Sequence, residues 1–454
     1  MINIQNDSRE VLPNDTFIAI KGNNVDGHKY IENAIKNGAT KVVVSNNKKY
    51  NVETINVKDT DKYLTDYLVD NYAKEFEDLT IIGLTGTNGK TTTAFMTFEM
   101  LRKLNVKVAY IGTIGFFYND NYDKTLNTTP DILRMYKYIL KAKENDCKVI
   151  LIEASSIGLC ENRLKGLKYD LVVFTNLTHD HLDYHKTMQN YLKAKLKILD
   201  NLKEDGLSIT NIDDKYGKYF IIPKRTITYG FNNADIKCIW HDNACINFSY
   251  TYKGKKYDIT SPLYGQYNIY NIMASLLILD YLGFDLDKVN HLYEHLNPPT
   301  GRINLIKYKN NKIIIDYAHT PDGVKQVLSA SKNLTTGKTY VIFGCPGDRD
   351  RAKRPMMARI VSKYADYFIL TDDDPHYEDE NRIIADALKG LKANNYEVII
   401  DRKKAIEKGF NLLTDNDTLL ILGKGHEESI IVKDKKIPHN DLKYVQHLVE
   451  KSNN

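Results

Sequence analysis

No apolar run in this chain is long enough to cross a membrane, and its opening, Met1-Ile2-Asn3-Ile4-Gln5-Asn6-Asp7, lacks a secretory signal pattern. The expected location is therefore the cytoplasm, with no membrane insertion. Cysteine is sparse. Cys147, Cys160, Cys238, Cys245 and Cys345 are scattered, odd in number and without a Cys-x-x-Cys pair. That excludes a disulfide frame or zinc site and reads as reduced thiols. One-sided charge is also missing: the net charge is only +5 over 454 residues, with lysines spread along the chain rather than gathered in an arm or stripe. A nucleic-acid partner is not expected. There is no internal repeat and no low-complexity tract. What remains is an ordinary globular composition, 42% hydrophobic and 27% charged, long enough for two to four domains.

The most informative stretch is Gly83-Leu84-Thr85-Gly86-Thr87-Asn88-Gly89-Lys90-Thr91-Thr92-Thr93. Leu79-Thr80-Ile81-Ile82 before it reads as a buried strand. From Thr93 to Leu104, the residues Phe95, Met96, Phe98, Met100, Leu101 and Leu104 share a helical face. A glycine-rich turn between strand and helix offers backbone N–H groups to a polyphosphate. Lys90 suits the β/γ-phosphates and the Thr91 hydroxyl suits Mg²⁺, with Gly86, Thr87, Asn88, Gly89 and Thr92 completing an ATP loop. Leu84 stands where the usual pattern opens with glycine.

Along the chain, residues 1–78 read as a small α/β domain. It carries Asp7-Ser8-Arg9, then Asp26-Gly27-His28, a helix over Tyr30 to Asn37, and a strand at Val42-Val43-Val44. Its small polar loops are suited equally to a uridine diphosphate and to a capped turn with a solvated histidine. Residues 79–298 read as an ATPase domain on a mostly parallel sheet, with strands at Val108–Ile111, Val149–Ile152 and Leu171–Phe174. Thr128-Thr129-Pro130 suggests a helix cap with proline near the first turn. Glu153, at the end of a strand beside the phosphate loop, is the first metal-ligand candidate. His179, Asp180, His181, Asp183 and His185 crowd one turn after the next strand. Tyr191 to Lys195 lies on a helix. Asn268 and Asn271 open a long apolar helix, Ile272 to Leu282, one turn apart. Asn297-Pro298-Pro299-Thr300-Gly301 is a linker, followed by Arg302.

Residues 299–454 alternate strand and helix as a Rossmann-like domain, with strands at 313–315, 340–343, 367–370, 398–400 and 419–422. Polar clusters close four of them: Asp316-Tyr317-Ala318-His319, Gly347-Asp348-Arg349-Asp350 with Lys353-Arg354, Asp372-Asp373-Asp374-Pro375-His376, and Gly423-Lys424-Gly425-His426-Glu427. Four at successive strand ends describe a binding crevice.

Thr-Gly-Thr-Asn-Gly-Lys-Thr-Thr, Asp-His-Leu-Asp-Tyr-His and the Asp-Ser-Arg and Asp-Gly-His opening together resemble the Mur ligase family, which builds the peptide of bacterial cell-wall precursors. The resemblance spans the chain and is nearest to the class that adds the third amino acid to UDP-N-acetylmuramoyl-L-alanyl-D-glutamate. It implies an ATP-dependent ligase using ATP and two Mg²⁺, a UDP-linked substrate and a free amino acid, and a monomer is expected. It assigns Ser8, Arg9, His28, Thr128, Thr129, Ser155 and Arg163 to the UDP substrate. Asn268, Asn271, Arg302, Asp316 and His319 go to ATP. Arg349, Asp373, Asp374, His376, Gly423 and Glu427 go to the amino acid. Thr91, Glu153 and His181 become metal ligands, and Lys195 an N6-carboxylysine made with CO₂. Lys90, Glu153, His181 and Lys195 are the catalytic set. Two positions depart from the family wording: Ile157 replaces a histidine and Pro346 a glycine. Where diaminopimelate users read Asp-Asn-Pro-Arg, this chain reads Asp373-Asp374-Pro375-His376, so L-lysine or a shorter diamino acid is expected. Alternatives are a Mur-type ligase for another precursor, a folylpolyglutamate-type ligase, and a nucleotide-binding regulatory subunit without chemistry.

Overall fold

The computed structural model describes residues 2–22, 25–240, 246–332 and 334–453; Cys245 lies outside them. The other four cysteines are free thiols.

The strand before the phosphate loop, Thr80–Thr85, lies at the heart of an eleven-stranded sheet. Tyr169–Phe174 and Val149–Glu153 flank it, with Leu202–Asn211 and Val108–Gly112 beyond, all parallel. Alternation along these strands builds two cores. Ile82, Leu84, Leu171 and Val173 point to one face, against the helices Lys90–Lys103 and Gln266–Tyr281. Ile81, Val172 and Phe174 point to the other, against the helix Ile132–Glu144 and the N-terminal segment. Such strands are covered on both faces and so read as continuous apolar runs. The helix Gln266–Tyr281 is apolar nearly all round because it is buried nearly all round.

Antiparallel strands extend both edges of this sheet, Gly115–Tyr118 with Asn121–Asp123 at one and Ile246–Tyr252 with Lys255–Ser261 at the other. The alternation of the chain does not show these pairs, since the outer strand of each is polar and largely exposed while the inner one is mostly buried.

The first sheet has four short parallel strands in chain order, Ile4–Gln5, Thr16–Ile18, Lys41–Val44 and Glu53–Asn56. Ile2, Ile4, Ile18 and Val43 join the second core of the large sheet. The third sheet runs Asn304–Tyr308, Asn311–Asp316, Thr418–Leu422, Thr339–Gly344, Tyr367–Thr371 and Tyr396–Val398, antiparallel only at its first edge. The expected strand over 398–400 is displaced to 396–398.

Several local expectations are corrected. The helix after the phosphate loop begins at Lys90, not Thr93. The first-domain helix is Ile31–Lys36, preceded by a tighter turn over Gly27–Tyr30. The threonines 128 and 129 do not cap a helix. Asp131 caps Ile132–Glu144, accepting a hydrogen bond from the Arg134 N–H, and Pro130 precedes the cap.

Candidate active site

The phosphate loop has the backbone its glycines permit. Gly86 and Gly89 have φ of 150° and 87°, and a Cβ on Gly86 would meet the Thr175 hydroxyl. Lys90 Nζ curls back onto its own loop, donating to the carbonyls of Gly86 (2.8 Å) and Thr87 (2.9 Å). Lys195 Nζ donates to the same Gly86 carbonyl at 2.7 Å and lies 4.7 Å from the centre of the Tyr191 ring. Lys195 is 1% exposed. The amine of half-buried Lys90 and that of buried Lys195 thus converge on one carbonyl. Burial lowers the pKa of both, Lys195 well below the ordinary lysine range, and Lys90 beside it adds like-charge repulsion.

Glu153 is buried at its strand end and fully engaged. Thr91 Oγ1 donates to it at 2.9 Å, Thr113 donates through its N–H (3.0 Å) and hydroxyl (3.1 Å), and the Tyr110 hydroxyl also donates. The two threonines after Asn127 support this cluster. Thr129 donates to the Glu153 carbonyl at 2.7 Å and accepts from the Ser155 N–H at 2.9 Å, while Thr128 pairs with Thr113 at 3.0 Å. Tyr110 and Thr113 were not anticipated: Tyr110 sits within an apolar strand run and nothing nearby marks it.

His181 adopts left-handed backbone (φ 52°), which turns its ring toward Asp180 at 3.4 Å. Burial lowers its pKa. Asp180 is buried too, yet Lys353, His181 and His319 overcome that penalty and hold its carboxyl well below the usual range. His179 pairs with Asp350 at 2.8 Å and His185 with the Ser156 hydroxyl at 2.9 Å.

Two cavities adjoin this cluster. The first, about 310 Å³, is lined by Asn88, Gly89, Thr92, Asn268, Asn271, Arg302 and Asp316. Asn271 donates to Asn268 at 2.9 Å, so the two amides do share a face. Asp316 accepts from the N–H groups of Ile303 and Ala318, and burial raises its pKa. The Arg302 guanidinium lies 4.7 Å from the Tyr317 ring centre, and its buried Nε has no hydrogen-bond partner among the described residues. His319 is pushed down to about 3 by burial and by Lys353.

The second cavity, about 950 Å³, gathers Thr128, Thr129, Ser155, Ile157, Arg163 and His181 from the central sheet. Arg349, Lys353, Asp373, Asp374, His376, Gly423 and Glu427 come from the third. Tyr317 and His319 line both cavities. Arg163 donates to the Thr129 carbonyl at 2.8 Å. At Pro346, the carbonyl accepts from Arg354 at 3.2 Å, and the next N–H, of Gly347, donates to the Asp374 carbonyl at 2.8 Å. Ile157 places an apolar side chain in the wall.

Asp374 is not the free acid its position in the loop suggested. Lys424, fully buried, lies 2.8 Å from Asp374, 2.6 Å from Glu427 and 3.6 Å from Asp373. These carboxylates keep the proton on Lys424 despite its burial, while burial pushes Glu427 up to about 7. Three carboxylates still outnumber one ammonium. Lys424 stands in the Gly-Lys-Gly-His-Glu stretch, where spacing along the chain does not reveal its partners in the 372–376 loop. Behind the cluster, Arg402 is buried, paired with Asp441 at 2.7 Å, and donates to the carbonyls of Asp372 and Leu422 (both 3.0 Å). It ties together the bases of both loops.

Ser8, Arg9 and His28 lie apart from both cavities. Arg9 is exposed and paired with Asp7 at 2.6 Å. His28 is held rather than solvated: its ring meets Asp26 at 2.6 Å and accepts from the Ser45 N–H at 3.0 Å.

Three family descriptions match the chain in succession: "Mur ligase family, catalytic domain" over residues 2–72, "Mur ligase middle domain" over 84–279, and "Mur ligase, glutamate ligase domain" over 301–425. Among similar proteins, the UDP-N-acetylmuramoyl-L-alanyl-D-glutamate–2,6-diaminopimelate ligase of Clostridium tetani is 36% identical, over 99% of this chain and 94% of its own. The ligase of the same description from Fusobacterium nucleatum is 37% identical, over 96% and 92%. A solved structure of a ligase so described superposes with a TM-score of 0.66 at 29% identity, covering 100% of this chain and 96% of its own. Similarity that runs unbroken through all three sheets and the crevice between them leaves one assignment: the chain belongs to the Mur ligase family of ATP-dependent peptide ligases.

Proposed function

We propose that this ligase adds a diamino acid, as the third residue, to the D-glutamate carboxylate of UDP-N-acetylmuramoyl-L-alanyl-D-glutamate during peptidoglycan precursor synthesis. The observation that carries the reading is that two cavities adjoin through Tyr317 and His319, common to both, while the smaller one reaches the phosphate loop at Asn88, Gly89 and Thr92. A nucleotide in the smaller cavity and two substrates in the larger one would have their reacting ends at that junction. The full-length relatives named for this reaction support the choice of substrate. We also propose the division into units 1–78, 79–298 and 299–454, binding respectively the UDP end (Ser8, Arg9, His28), ATP, and the amino acid.

In the proposed reaction, the acceptor carboxylate takes the γ-phosphoryl group of ATP, and the amine then displaces phosphate from the acyl phosphate. Lys90 and Arg302 offset charge as the phosphoryl group moves. Arg302 fits this role because its buried Nε lacks a hydrogen-bond partner among the described residues. The donor set suits Mg²⁺: an engaged buried carboxylate, Glu153, next to the Thr91 hydroxyl, with His181 across the loop. Mg²⁺ would supply Lewis-acid charge neutralisation there. Lys195 suits carbamylation, because burial of an amine that hydrogen-bonds a carbonyl rather than a carboxylate lowers its pKa and favours the nucleophilic, neutral form. Its carbamate would add an anionic ligand.

The choice of amino acid turns on the second cavity. His376 replaces an arginine and is driven further toward its neutral form by burial and by Arg349. A distal carboxylate therefore loses a bidentate partner, at a cost of about 2–5 kcal/mol. The Asp373–Asp374–Glu427 cluster remains net negative around Lys424, which favours a distal ammonium. We favour L-lysine or L-ornithine, against the 2,6-diaminopimelate of the relatives' names. ATP turnover with the UDP-linked dipeptide and L-lysine, L-ornithine or meso-diaminopimelate decides it. No turnover with any of the three sinks the ligase reading; a clear kcat/KM preference for meso-diaminopimelate overturns only the specificity.

A further inference from the structure

Lys353 opens the helix Lys353–Tyr364, four residues after Arg349. Its side chain is 5% exposed and belongs to the third sheet, yet it reaches Asp180 of the central sheet at 3.3 Å. That is a long contact for an ammonium, which has three protons to donate. Asp180 is its only hydrogen-bond partner recorded among the described residues. Asp180 is also shared: His181 lies 3.4 Å and His319 4.0 Å from its other oxygen. Lys353 lines the larger cavity, with Thr128, Ser155 and Arg163, and not the nucleotide cavity. A buried cation with donors to spare, in the wall of the acceptor's cavity and beside the histidine of the site, is placed to meet an anion.

We infer that Lys353 is a catalytic residue of the phosphoryl-transfer step, contacting the acceptor carboxylate as that group is phosphorylated. The inference rests on the reaction proposed above. In that step one carboxylate oxygen forms a bond to the γ-phosphorus of ATP. The bond from that phosphorus to the β–γ bridging oxygen breaks, the electron pair leaves on ADP, and no proton moves. The attacking carboxylate and the γ-phosphoryl oxygens repel one another as they close. An ammonium against the carboxylate offsets that repulsion without passing through the nucleotide site. Because Lys353 shares its segment with Arg349, seating the amino-acid loop also delivers this cation. Phosphoryl transfer is thereby tied to the closed arrangement of the two sheets.

The test uses full-length Lys353→Met and Lys353→Arg with ATP, Mg²⁺ and the UDP-linked dipeptide. Amide formation is read with amino acid present, and acyl phosphate is trapped by hydroxylamine with amino acid absent. Lys353→Met should lower kcat and hydroxamate formation together, by about 10²–10³-fold. The KM for ATP should stay within about threefold, since the nucleotide cavity is untouched. Lys353→Arg, which keeps the charge, should retain at least about a tenth of the activity. If Lys353→Met does not fold, Lys353→Gln, which keeps a polar contact to Asp180, carries the same readouts. A neutral variant with kcat within about threefold of wild type, or with normal hydroxamate formation and only amide formation lost, overturns the inference. A wild-type protein that forms neither hydroxamate nor amide overturns the underlying reaction instead.

Discussion

At the scale of single residues, the site is dominated by two lysines without acids. Lys90 and Lys195 both donate to the Gly86 carbonyl, and neither has a carboxylate in hydrogen-bond contact among the described residues. Their local field is unfinished until anions arrive, which is why we expect the two lysines to respond differently to substitution. Lys195→Ala should lose nearly all turnover and recover part of it with added short carboxylates, which stand in for a carbamate. Equilibration with ¹³CO₂ should give a carbamate signal in the wild type and none in the variant; wild-type turnover in Lys195→Ala, or no such signal, removes this role. Lys90→Ala should lower kcat by about 10²–10³-fold with a smaller change in the KM for ATP, because its charge matters most as the phosphoryl group moves. Steady-state kinetics check this, and a normal kcat with only a raised KM contradicts it. Lys90 could be read from its motif. The role of Lys195 came through resemblance, since a lysine on a helix is ordinarily solvated. Tyr110 and Thr113 could not be read at all, because contacts across a sheet leave no mark on sequence spacing.

Elements show where local reading stops. The parallel strands were legible because burial on both faces makes them continuously apolar, as at Val149–Glu153 and Thr418–Leu422. The helix start at Lys90 and the cap at Asp131 were missed by a few residues, because loop glycines and adjacent hydroxyls offer competing stops. The loop over 372–376 is legible in the sequence as an acidic cluster but not as one gripped by Lys424, which arrives from a strand two places away in the third sheet. The grip has a consequence for pH. Glu427 has its pKa raised to about 7 in the folded protein, chiefly by burial, so between the usual carboxylate range and 7 the folded state binds more protons than the unfolded. Its contribution to stability therefore falls as pH rises through that window. A cationic amine needs the ionised form and should release a proton on binding. The KM for the amino acid should thus fall as pH rises, by up to about tenfold from pH 6 to pH 8. Initial-rate measurements across that range test it. Glu427→Gln should flatten the profile; an unchanged profile in that variant assigns the dependence elsewhere.

Over the whole molecule, the central and third sheets are joined by a few polar contacts across the crevice rather than by a shared core. The apolar clusters of the third sheet draw only Tyr264 and Tyr267 from beyond its linker. The bridges among the described residues include Lys353 and His319 to Asp180, His179 to Asp350, Lys124 to Glu428 at 3.1 Å, and the Asn88 amide to Asp322 at 3.1 Å with Thr320 at 3.3 Å. By contrast, the first sheet contributes Ile2, Ile4, Ile18 and Val43 to the central core. The joint between the central and third sheets is therefore the one we expect to open and close, since polar contacts rather than a shared core span it. Asn88 is the most telling bridge, because it belongs to the phosphate loop itself: the third sheet helps to hold that loop in shape. Asp322→Ala removes one hydrogen bond to the Asn88 amide without touching the folded core of either sheet. At about 0.5–1.5 kcal/mol for such a bond, it should shift the ligand-free protein toward an open form and raise the KM for ATP by about 2–10-fold. Small-angle scattering should show a larger radius of gyration without ligand that returns toward the wild-type value with a non-hydrolysable ATP analogue, while the melting temperature moves by no more than about 2 °C. An Asp322→Ala protein with wild-type scattering and wild-type KM would show that the remaining bridges hold the sheets closed, and that Asn88 keeps its position through the Asn176 contact to its N–H at 2.9 Å.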